Sequence, residues 1–275
     1  NKQVVALPHL KADRVEVQTS YSTLLYNRAQ FFKDGLNWKW NWPIHEVCGS
    51  QEEKSAETLK NACVVPTPEG ARASDEKRYH RDALVFEEWV IDHPDDARGW
   101  FYLAQSYRDA EMPERAIEPL QKCIELSQWD EEIYLAALRV ARYKMEAGEP
   151  FARVIDDFFK AYNFRPSRLE ALHALVAYYR QQDMHHVVIM LGEKGLKIPY
   201  PTDRLFVEPD VYEWRLRDEI GVSYYWVGRF AKSIKVIQEA LDNPRANIPD
   251  PERERMLKNI KYAEEAIQNA KENPN

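Results

Sequence analysis

The sequence predicts a mainly α-helical protein, an array of α-hairpins preceded by a small region that contains β-strands. From about Asp75 to the end, apolar residues recur at helical spacing, and similar segments return along the chain. Between residues 14 and 68, β-branched and aromatic residues gather in short runs, among them the alternating Val15-Glu16-Val17. The two observations divide the chain into residues 1–70 and residues 71–275.

The helical part carries the spacing of the tetratricopeptide pattern, in which W-x2-L-G-x2-Y is followed by A and then F or L. The first match consists of Trp100, Leu103, Ala104, Tyr107, Ala116 and Leu120. Partial matches follow at Phe158, Ala161 and Pro166, at Leu172, Leu175, Val176, Tyr179 and Val188, and at Ile220, Gly221, Tyr224, Ser233, Ile237 and Ala240. Small residues at the Gly and Ala positions allow two antiparallel helices to approach closely. The predicted fold class is therefore a tetratricopeptide-like α-hairpin superhelix.

Several segments lie outside this pattern. Residues 50–71 contain two prolines and a glycine near their end, which predicts a linker. Tyr79–His93 reads as a lone helix, and Pro251–Lys271 as a charged helix that caps the array. Residues 197–214 form an insertion between the third and fourth matches, and insertions of this kind form loops on one face, often the binding face. The insertion's aromatic residues, Tyr200, Phe206, Tyr212 and Trp214, either hold a ligand or seal the array against a catalytic domain.

The composition excludes several classes of function. The net charge is -7 and the two signs are interspersed, which disfavours nucleic-acid binding because that needs a concentrated basic surface. Cys48, Cys63 and Cys123 form no Cys-x-x-Cys pair, so we expect neither a zinc knuckle nor a redox pair, and a reducing, cytoplasmic location fits best. No apolar run approaches the roughly 20 residues of a transmembrane helix.

The stretch from Lys39 to Val47 concentrates two indoles, an imidazole and a carboxylate. If this segment is extended, Trp40 and Trp42 share a face, which suits either stacking on a sugar ring or packing against the first helices. His45 and Glu46 suit proton transfer or metal binding, or else structural hydrogen bonds at a strand end. Adjacent strand residues point to opposite faces, so His45 is the first choice of the two.

Motifs along nearly the whole chain carry a resemblance to a known family. The first three are Tyr26-Asn27-Arg28, the W-x4-H-E element from Trp40 to Glu46, and the segment Trp100–Asp109. Two further matches each consist of two segments: Ala161-Tyr162 with Pro166–Ala171, and Leu205–Glu208 with Tyr212–Arg215. With these motifs the chain resembles the C-terminal part of family 2 glycosyltransferases that carry tetratricopeptide-like helices. Residues 1–70 would then be the acceptor-side remnant of a GT-A catalytic domain. Trp42 departs from the family pattern, where a small residue such as Gly is frequent.

The resemblance implies a set of roles. His45 and Glu46 would be catalytic, Trp40, Trp42 and Arg28 would bind substrate, and His45 is a possible metal contact. The complete enzyme would use a nucleotide sugar, a saccharide or protein acceptor, and Mg²⁺ or Mn²⁺ held by an Asp-x-Asp motif. No Asp-x-Asp is present in this sequence, so that motif is expected upstream of Asn1. The chain alone is expected to be inactive and to need no cofactor.

The alternative is a free-standing tetratricopeptide adaptor that binds a protein or peptide partner on its helical repeats. Such an adaptor would use basic residues on the inner helices to hold a carboxylate. The candidates Arg108, Arg139, Arg142 and Arg180 do not occupy matching repeat positions. The adaptor also leaves the Trp40–Glu46 segment without a role.

Overall fold

The computed structural model describes residues 10–21, 24–66, 75 and 77–272. The strands are β1 (Arg14–Tyr21), β2 (Leu24–Phe32), β3 (Lys39–Asn41), β4 (Val47–Gly49) and β5 (Ala56–Val64). The α-helices are α1 (Arg78–Asp92), α2 (Ala97–Asp109), α3 (Pro113–Leu126), α4 (Asp130–Glu146), α5 (Phe151–Phe164), α6 (Glu170–Gln181), α7 (His185–Gly195), α8 (Leu216–Trp226), α9 (Phe230–Leu241) and α10 (Asp250–Glu272). Among these helices none has the length and apolarity needed to cross a bilayer. The chain divides into two compact units, Asn1–Arg115 and Ala116–Asn275.

The N-terminal unit contains a three-stranded sheet in the order β2-β1-β5. Strands β1 and β2 are antiparallel, whereas β5 runs parallel to β1, and β3 and β4 form a separate antiparallel ribbon. Successive side chains of a strand point to opposite faces, and in β1 Val15, Val17 and Thr19 are buried. The predicted β-containing region is therefore present, with one side of its central strand covered.

The predicted linker over residues 50–71 is wrong for its central part, which forms β5. This strand pairs with β1 from Ala56 to Val64, with a register irregularity opposite Val17 and Gln18. Pairing satisfies the backbone groups of a segment whose sequence lacks clear alternation, so tertiary context decides its structure. Residues 67–74, which carry the second proline and the glycine, lie outside the described residues. The predicted domain boundary at residue 70 stays a prediction.

Helix α1 is not the lone helix that the sequence predicted, because it packs against α2. The close approach occurs at Gly99, where an added Cβ would lie 2.8 Å from the indole Cδ1 of Trp89. Phe86 of α1 and Tyr102 of α2 are both buried, with ring centroids 5.5 Å apart. The two helices therefore form a packed pair within the N-terminal unit.

The C-terminal unit contains α3 from Ala116 onward and three consecutive α-hairpins, α4–α5, α6–α7 and α8–α9, with α10 packed on α9. One continuous core runs through the hairpins and includes Tyr134, Leu138, Phe158, Leu172, Leu175, Val188, Ile220, Ile237, Ala240 and Met256. Most repeat-pattern residues of this unit are buried in this core, as the helical spacing predicted. The tetratricopeptide-like array of α-hairpins and the terminal helix are confirmed.

Glycines at two helix crossings permit this packing. An added Cβ at Gly192 would lie 2.4 Å from Cγ1 of Ile220, and one at Gly221 would lie 2.4 Å from Cγ1 of Ile237. The hydroxyl of Ser233 in α9 donates a hydrogen bond of 2.7 Å to the carbonyl oxygen of Gly221. Gly221 stands at the repeat's Gly position, as the pattern indicated, whereas Gly192 stands where the pattern has F or L; both permit neighbouring helices to approach closely.

The insertion differs from the prediction because its last part is helical. A loop follows α7 up to residue 208, residues 209 and 210 are helical, and a π-helix, Val211–Arg215, then leads directly into α8. Tyr212 and Trp214 are buried in the core, whereas Tyr200 and Phe206 are 46% and 39% exposed. The insertion's aromatic residues therefore divide into core residues and surface residues.

We predict that Gly221→Val destabilises the protein by about 1–3 kcal/mol, because the added methyl groups overlap Ile237 and the core is close-packed. Urea unfolding measures the change. The matched control is Ala231→Val on the exposed side of α9, whose cost should stay near the helix-propensity difference of about 0.5 kcal/mol. Equal losses in both variants would show that the crossing at Gly221 is not tightly packed.

Candidate functional site

The Trp40–Glu46 segment is not extended, which corrects the geometry on which its predicted site depended. Only Lys39–Asn41 is a strand, and Trp42 and His45 have φ angles of 64° and 58°. These angles lie in the left-handed region that residues other than Gly adopt infrequently. The segment therefore turns sharply, and the argument that alternate side chains share a face does not apply.

The turn directs Trp42 toward helices α1 and α2, where Asp96 holds it. One carboxylate oxygen of Asp96 accepts hydrogen bonds from the indole nitrogens of Trp42 and Trp89, each at 2.8 Å. The other oxygen accepts from the backbone N–H of Arg98 at 3.1 Å and caps the N-terminus of α2. Trp42 also meets the ring of Tyr102 edge-on, with centroids 6.1 Å apart. Of the two alternatives for Trp42, packing against the first helices describes its surroundings.

The ring of His45 stacks on Tyr102 of α2, with centroids 4.8 Å apart and an interplanar angle of 19°. Its neighbour Glu46 is exposed. Trp40 is 65% exposed and touches Phe32 at a centroid distance of 6.0 Å. Arg28 is exposed on β2, opposite Val17 of β1. His45 and Trp42 thus share Tyr102 as a neighbour, while Trp40, Glu46 and Arg28 project from the surface.

Within the described residues, no group of three or more His, Cys, Asp or Glu side chains is arranged to hold a metal ion. The catalytic assignments of His45 and Glu46 and the substrate contacts of Trp40, Trp42 and Arg28 depended on the predicted transferase. They remain untested predictions. The packing of Trp42 and His45 on α1 and α2 gives both residues a structural role that needs no substrate.

A second cluster of polar residues lies in the C-terminal unit, on the first helices of the three hairpins. On α6, Glu170, His173, Ala177 and Arg180 follow a spacing of three or four residues and share one face. Arg180 forms an ion pair with Glu219 of α8. We call this surface the inner-helix face and define it by Arg142, His173, Ala177, Arg180, Arg215 and Glu219.

A fully buried ion pair stands at one end of this face. The guanidinium of Arg168 and the carboxylate of Glu170 are both 0% exposed, and their closest hydrogen bond is 2.7 Å. The hydroxyl groups of Tyr134 and Tyr212 each donate to Glu170 at 3.0 Å. Burial raises the pKa of Glu170, but the hydrogen bonds and charge of Arg168 outweigh it, and the pKa is lowered overall. Every oxygen of the carboxylate is thus satisfied, as a buried charge requires.

The insertion crosses the inner-helix face with residues 203–210, a loop up to residue 208 in which Phe206 has a φ angle of 40°, followed by helical backbone at residues 209 and 210. The carbonyl oxygens of Leu205 and Phe206 accept hydrogen bonds from Arg168 at 3.2 and 3.1 Å. Asp203 accepts from both Arg165 and Arg168. This first part of the segment is therefore fixed by backbone and side-chain bonds to a buried guanidinium.

The last part of the segment contributes two carboxylates to the face. Glu208 accepts two hydrogen bonds from Arg142, at 2.6 and 3.1 Å, in a bidentate arrangement. Asp210 lies 3.6 Å from Arg215. Burial opposes the charge of Arg142, but its bonds to Glu208 prevail and raise its pKa. All four side chains of these two pairs are about one third to one half exposed.

His173 is close enough to Arg142 and Arg215, the two arginines that the segment neutralises, for their charges to act on it. Burial, together with the positive charges of Arg215 and Arg142, lowers the pKa of His173 to about 4, so the imidazole is neutral at pH 7. Its Nε2 atom is inaccessible to solvent and has no hydrogen-bond partner among the described residues. A buried polar atom without a partner is uncommon and costs free energy. The face therefore contains one polar atom that the segment leaves unsatisfied.

The sequence indicated part of this face, because Arg142 and Arg180 were among the basic residues considered for holding a carboxylate. They were set aside because they do not occupy matching repeat positions. Helix α4, at 17 residues, is longer than α6, at 12, so positions along the two helices cannot be compared by repeat register. Arg168, Glu170 and His173 were missed as functional residues. The signal that could have found them is the match between the acids of the insertion and the arginines of the preceding helices.

No protein-family model matches this chain, and no curated protein does. The chain is similar to a crystal structure of MamA at 21% identity over 61% of this chain and 90% of that chain, with a TM-score of 0.48. It is similar to YrrB, described as a TPR protein with an unusual peptide-binding site, at 12% identity over 67% of this chain and 84% of that chain, with a TM-score of 0.47. It is also similar to a chain of the APC/C hetero-tetramer Cut9–Hcn1, at 14% identity over 71% of this chain and 34% of that chain, with a TM-score of 0.47.

These findings correct the predicted glycosyltransferase remnant, together with its nucleotide sugar and its saccharide acceptor. Two of the solved structures that are similar to the chain, YrrB and a protein from Cytophaga hutchinsonii, are described as TPR proteins, and none of those named here is described as a glycosyltransferase.

We predict that Asp96→Ala destabilises the N-terminal unit by about 2–4 kcal/mol, because it removes a helix cap and leaves two indole N–H groups without their acceptor. Urea unfolding followed by tryptophan fluorescence measures the loss. The adjacent Asp95 is exposed, so Asp95→Ala should change stability by about 0.5 kcal/mol or less. Similar losses for both variants would contradict the central role of Asp96.

We predict that Glu170→Gln costs about 3–5 kcal/mol at pH 7, because it leaves Arg168 buried without its counter-charge. The folded-state pKa of Glu170 lies below its ordinary value of 4.5, so its contribution is complete above that pH and is lost as the pH falls through the folded pKa. The difference between wild type and variant should therefore narrow below about pH 4.5.

Urea unfolding at several pH values tests this dependence. The control is Glu254→Gln on the exposed side of α10, which should be nearly neutral at every pH. A gap between wild type and Glu170→Gln that stays constant down to pH 3 contradicts the lowered pKa.

Proposed function

We propose that this protein is an adaptor that binds a protein or peptide partner on the inner-helix face of its C-terminal unit. The observation that supports the proposal is that this face holds a loop of the same chain, residues 203–208. It does so with guanidinium groups that bind backbone carbonyls and carboxylates. A surface that recognises main chain and acidic side chains in this way has the chemistry needed for a linear segment of another protein.

The part of the face beyond the segment is free for such a partner. Ala177 of α6 and Val222 of α8 are partly exposed, and Trp226 at the end of α8 is 65% exposed. Trp226 stacks against His185 at a centroid distance of 5.9 Å, which holds its ring in place. A pre-oriented, exposed indole beside small residues is typical of binding hot spots.

The proposed location is the cytoplasm. The three cysteines are free thiols, two of them buried, and a reducing compartment suits such residues.

The test is selection of binding peptides from a random 12-residue display library against the wild-type protein. We expect a family of related sequences that lose at least about tenfold in affinity when Ala177→Trp fills the face. The matched control is Met190→Trp, because Met190 is 62% exposed on α7, the second helix of the same hairpin. Failure to enrich any sequence, or peptides equally sensitive to both variants, would overturn the proposed function.

A further inference from the structure

The segment on the inner-helix face has a fixed part and a part that can be exchanged. Asp203 and Leu205 are buried and bonded to Arg168, whose side chain is fully covered. The carboxylates of Glu208 and Asp210, in contrast, form ion pairs with partly exposed arginines, while the backbone N–H of Glu208 donates to Glu170 at 3.2 Å. Replacing one carboxylate by another at the same guanidinium conserves the type of bond, so the exchange costs little free energy. The two carboxylates can therefore leave Arg142 and Arg215 while the backbone of the segment stays bound.

The charge of the face favours an anionic ligand in their place. Three arginines of the face, Arg142, Arg180 and Arg215, stand against the carboxylates of Glu208, Asp210 and Glu219. Two of these three carboxylates come from the segment. When they move away, the face presents two more positive charges than negative ones, and this excess attracts an acidic chain.

The unsatisfied imidazole points to the same ligand. His173 Nε2 lies in the region of Arg142 and Arg215 and lacks a partner while Glu208 occupies Arg142. Glu170, the other charged group near His173, is committed to Arg168 and two tyrosines. A neutral imidazole with its proton on Nε2 can donate one hydrogen bond, and a carboxylate is a strong acceptor for it.

We propose that the partner on this face is an acidic peptide. Its carboxylates replace Glu208 and Asp210 at Arg142 and Arg215, and one of them accepts a hydrogen bond from His173. The segment's own acids therefore act as built-in competitors that weaken binding of the partner. This inference rests on the proposed adaptor function and names the chemical class of its ligand.

The probe is fluorescein-labelled octaglutamate, with octaglutamine as the uncharged counterpart, measured by fluorescence anisotropy at low ionic strength. We expect the variant E208Q/D210N to bind octaglutamate about tenfold more tightly than wild type, because two competing carboxylates are gone. Octaglutamine should bind neither protein. The fixed contacts of Leu205 and Phe206 to Arg168 remain, so the variant keeps its fold, which urea unfolding verifies.

Three further variants distinguish binding at this site from a general effect of the protein's net charge. E254Q/E264Q changes the net charge equally but on exposed positions of α10, and its affinity should stay within about twofold of wild type. R142Q/E208Q/R215Q/D210N removes both arginines together with the carboxylates that pair with them, so no unpaired charge is left at these positions. This variant should not show the tighter octaglutamate binding that we expect of E208Q/D210N. Adding His173→Phe to E208Q/D210N should weaken octaglutamate binding about threefold or more, through loss of the imidazole donor.

The acidic-partner proposal is overturned if E208Q/D210N and E254Q/E264Q tighten binding equally, or if octaglutamate binds no variant. It is also overturned if library peptides that depend on Ala177 contain no acidic residues and ignore the E208Q/D210N change. That last result would contradict only the acidic character of the ligand and would leave the proposed adaptor function unaffected. Absence of any peptide that depends on Ala177 removes the adaptor function itself.

Discussion

The buried pair of Arg168 and Glu170 is the interaction on which the C-terminal unit depends most. Two charges without solvent contact are tolerated only when every donor and acceptor is satisfied, and here the partners come from three different elements. Tyr134 belongs to α4, Tyr212 to the π-helix before α8, and the carbonyls of Leu205 and Phe206 to the insertion. The pair thus fixes two hairpins and the insertion relative to one another.

This requirement also explains why the insertion is ordered and why it covers the inner-helix face. Arg168 lies in the loop between α5 and α6, and two backbone carbonyls of the insertion accept hydrogen bonds from its guanidinium. Once the carbonyls of Leu205 and Phe206 are bound there, residues 208 and 210 follow along the face toward Arg142 and Arg215. The position of the two exchangeable carboxylates is therefore a consequence of the buried charge, not an independent feature.

The helical array could be predicted from the sequence because its periodicity reflects helix packing directly, and Gly192 and Gly221 mark the close crossings. The Trp40–Glu46 segment could not, because indoles and imidazoles that suit a sugar site also suit a protein interior. Nothing in its residue types shows the left-handed backbone at Trp42 and His45 or the distant acceptor Asp96. Its pairing partner lies 54 residues away in sequence. Contacts of that range are invisible to local patterns.

The same limit applies to the inner-helix face, where the informative property is a balance of charge across distant segments. Arg142 and Glu208 are 66 residues apart, and repeat register failed to align Arg142 with Arg180 because α4 is longer than α6. The bidentate ion pair of Arg142 and Glu208 is partly exposed, and His173 Nε2, which lies in the same region, has no hydrogen-bond partner among the described residues. Stability alone does not account for that combination, whereas an exchangeable place for a partner's carboxylate does.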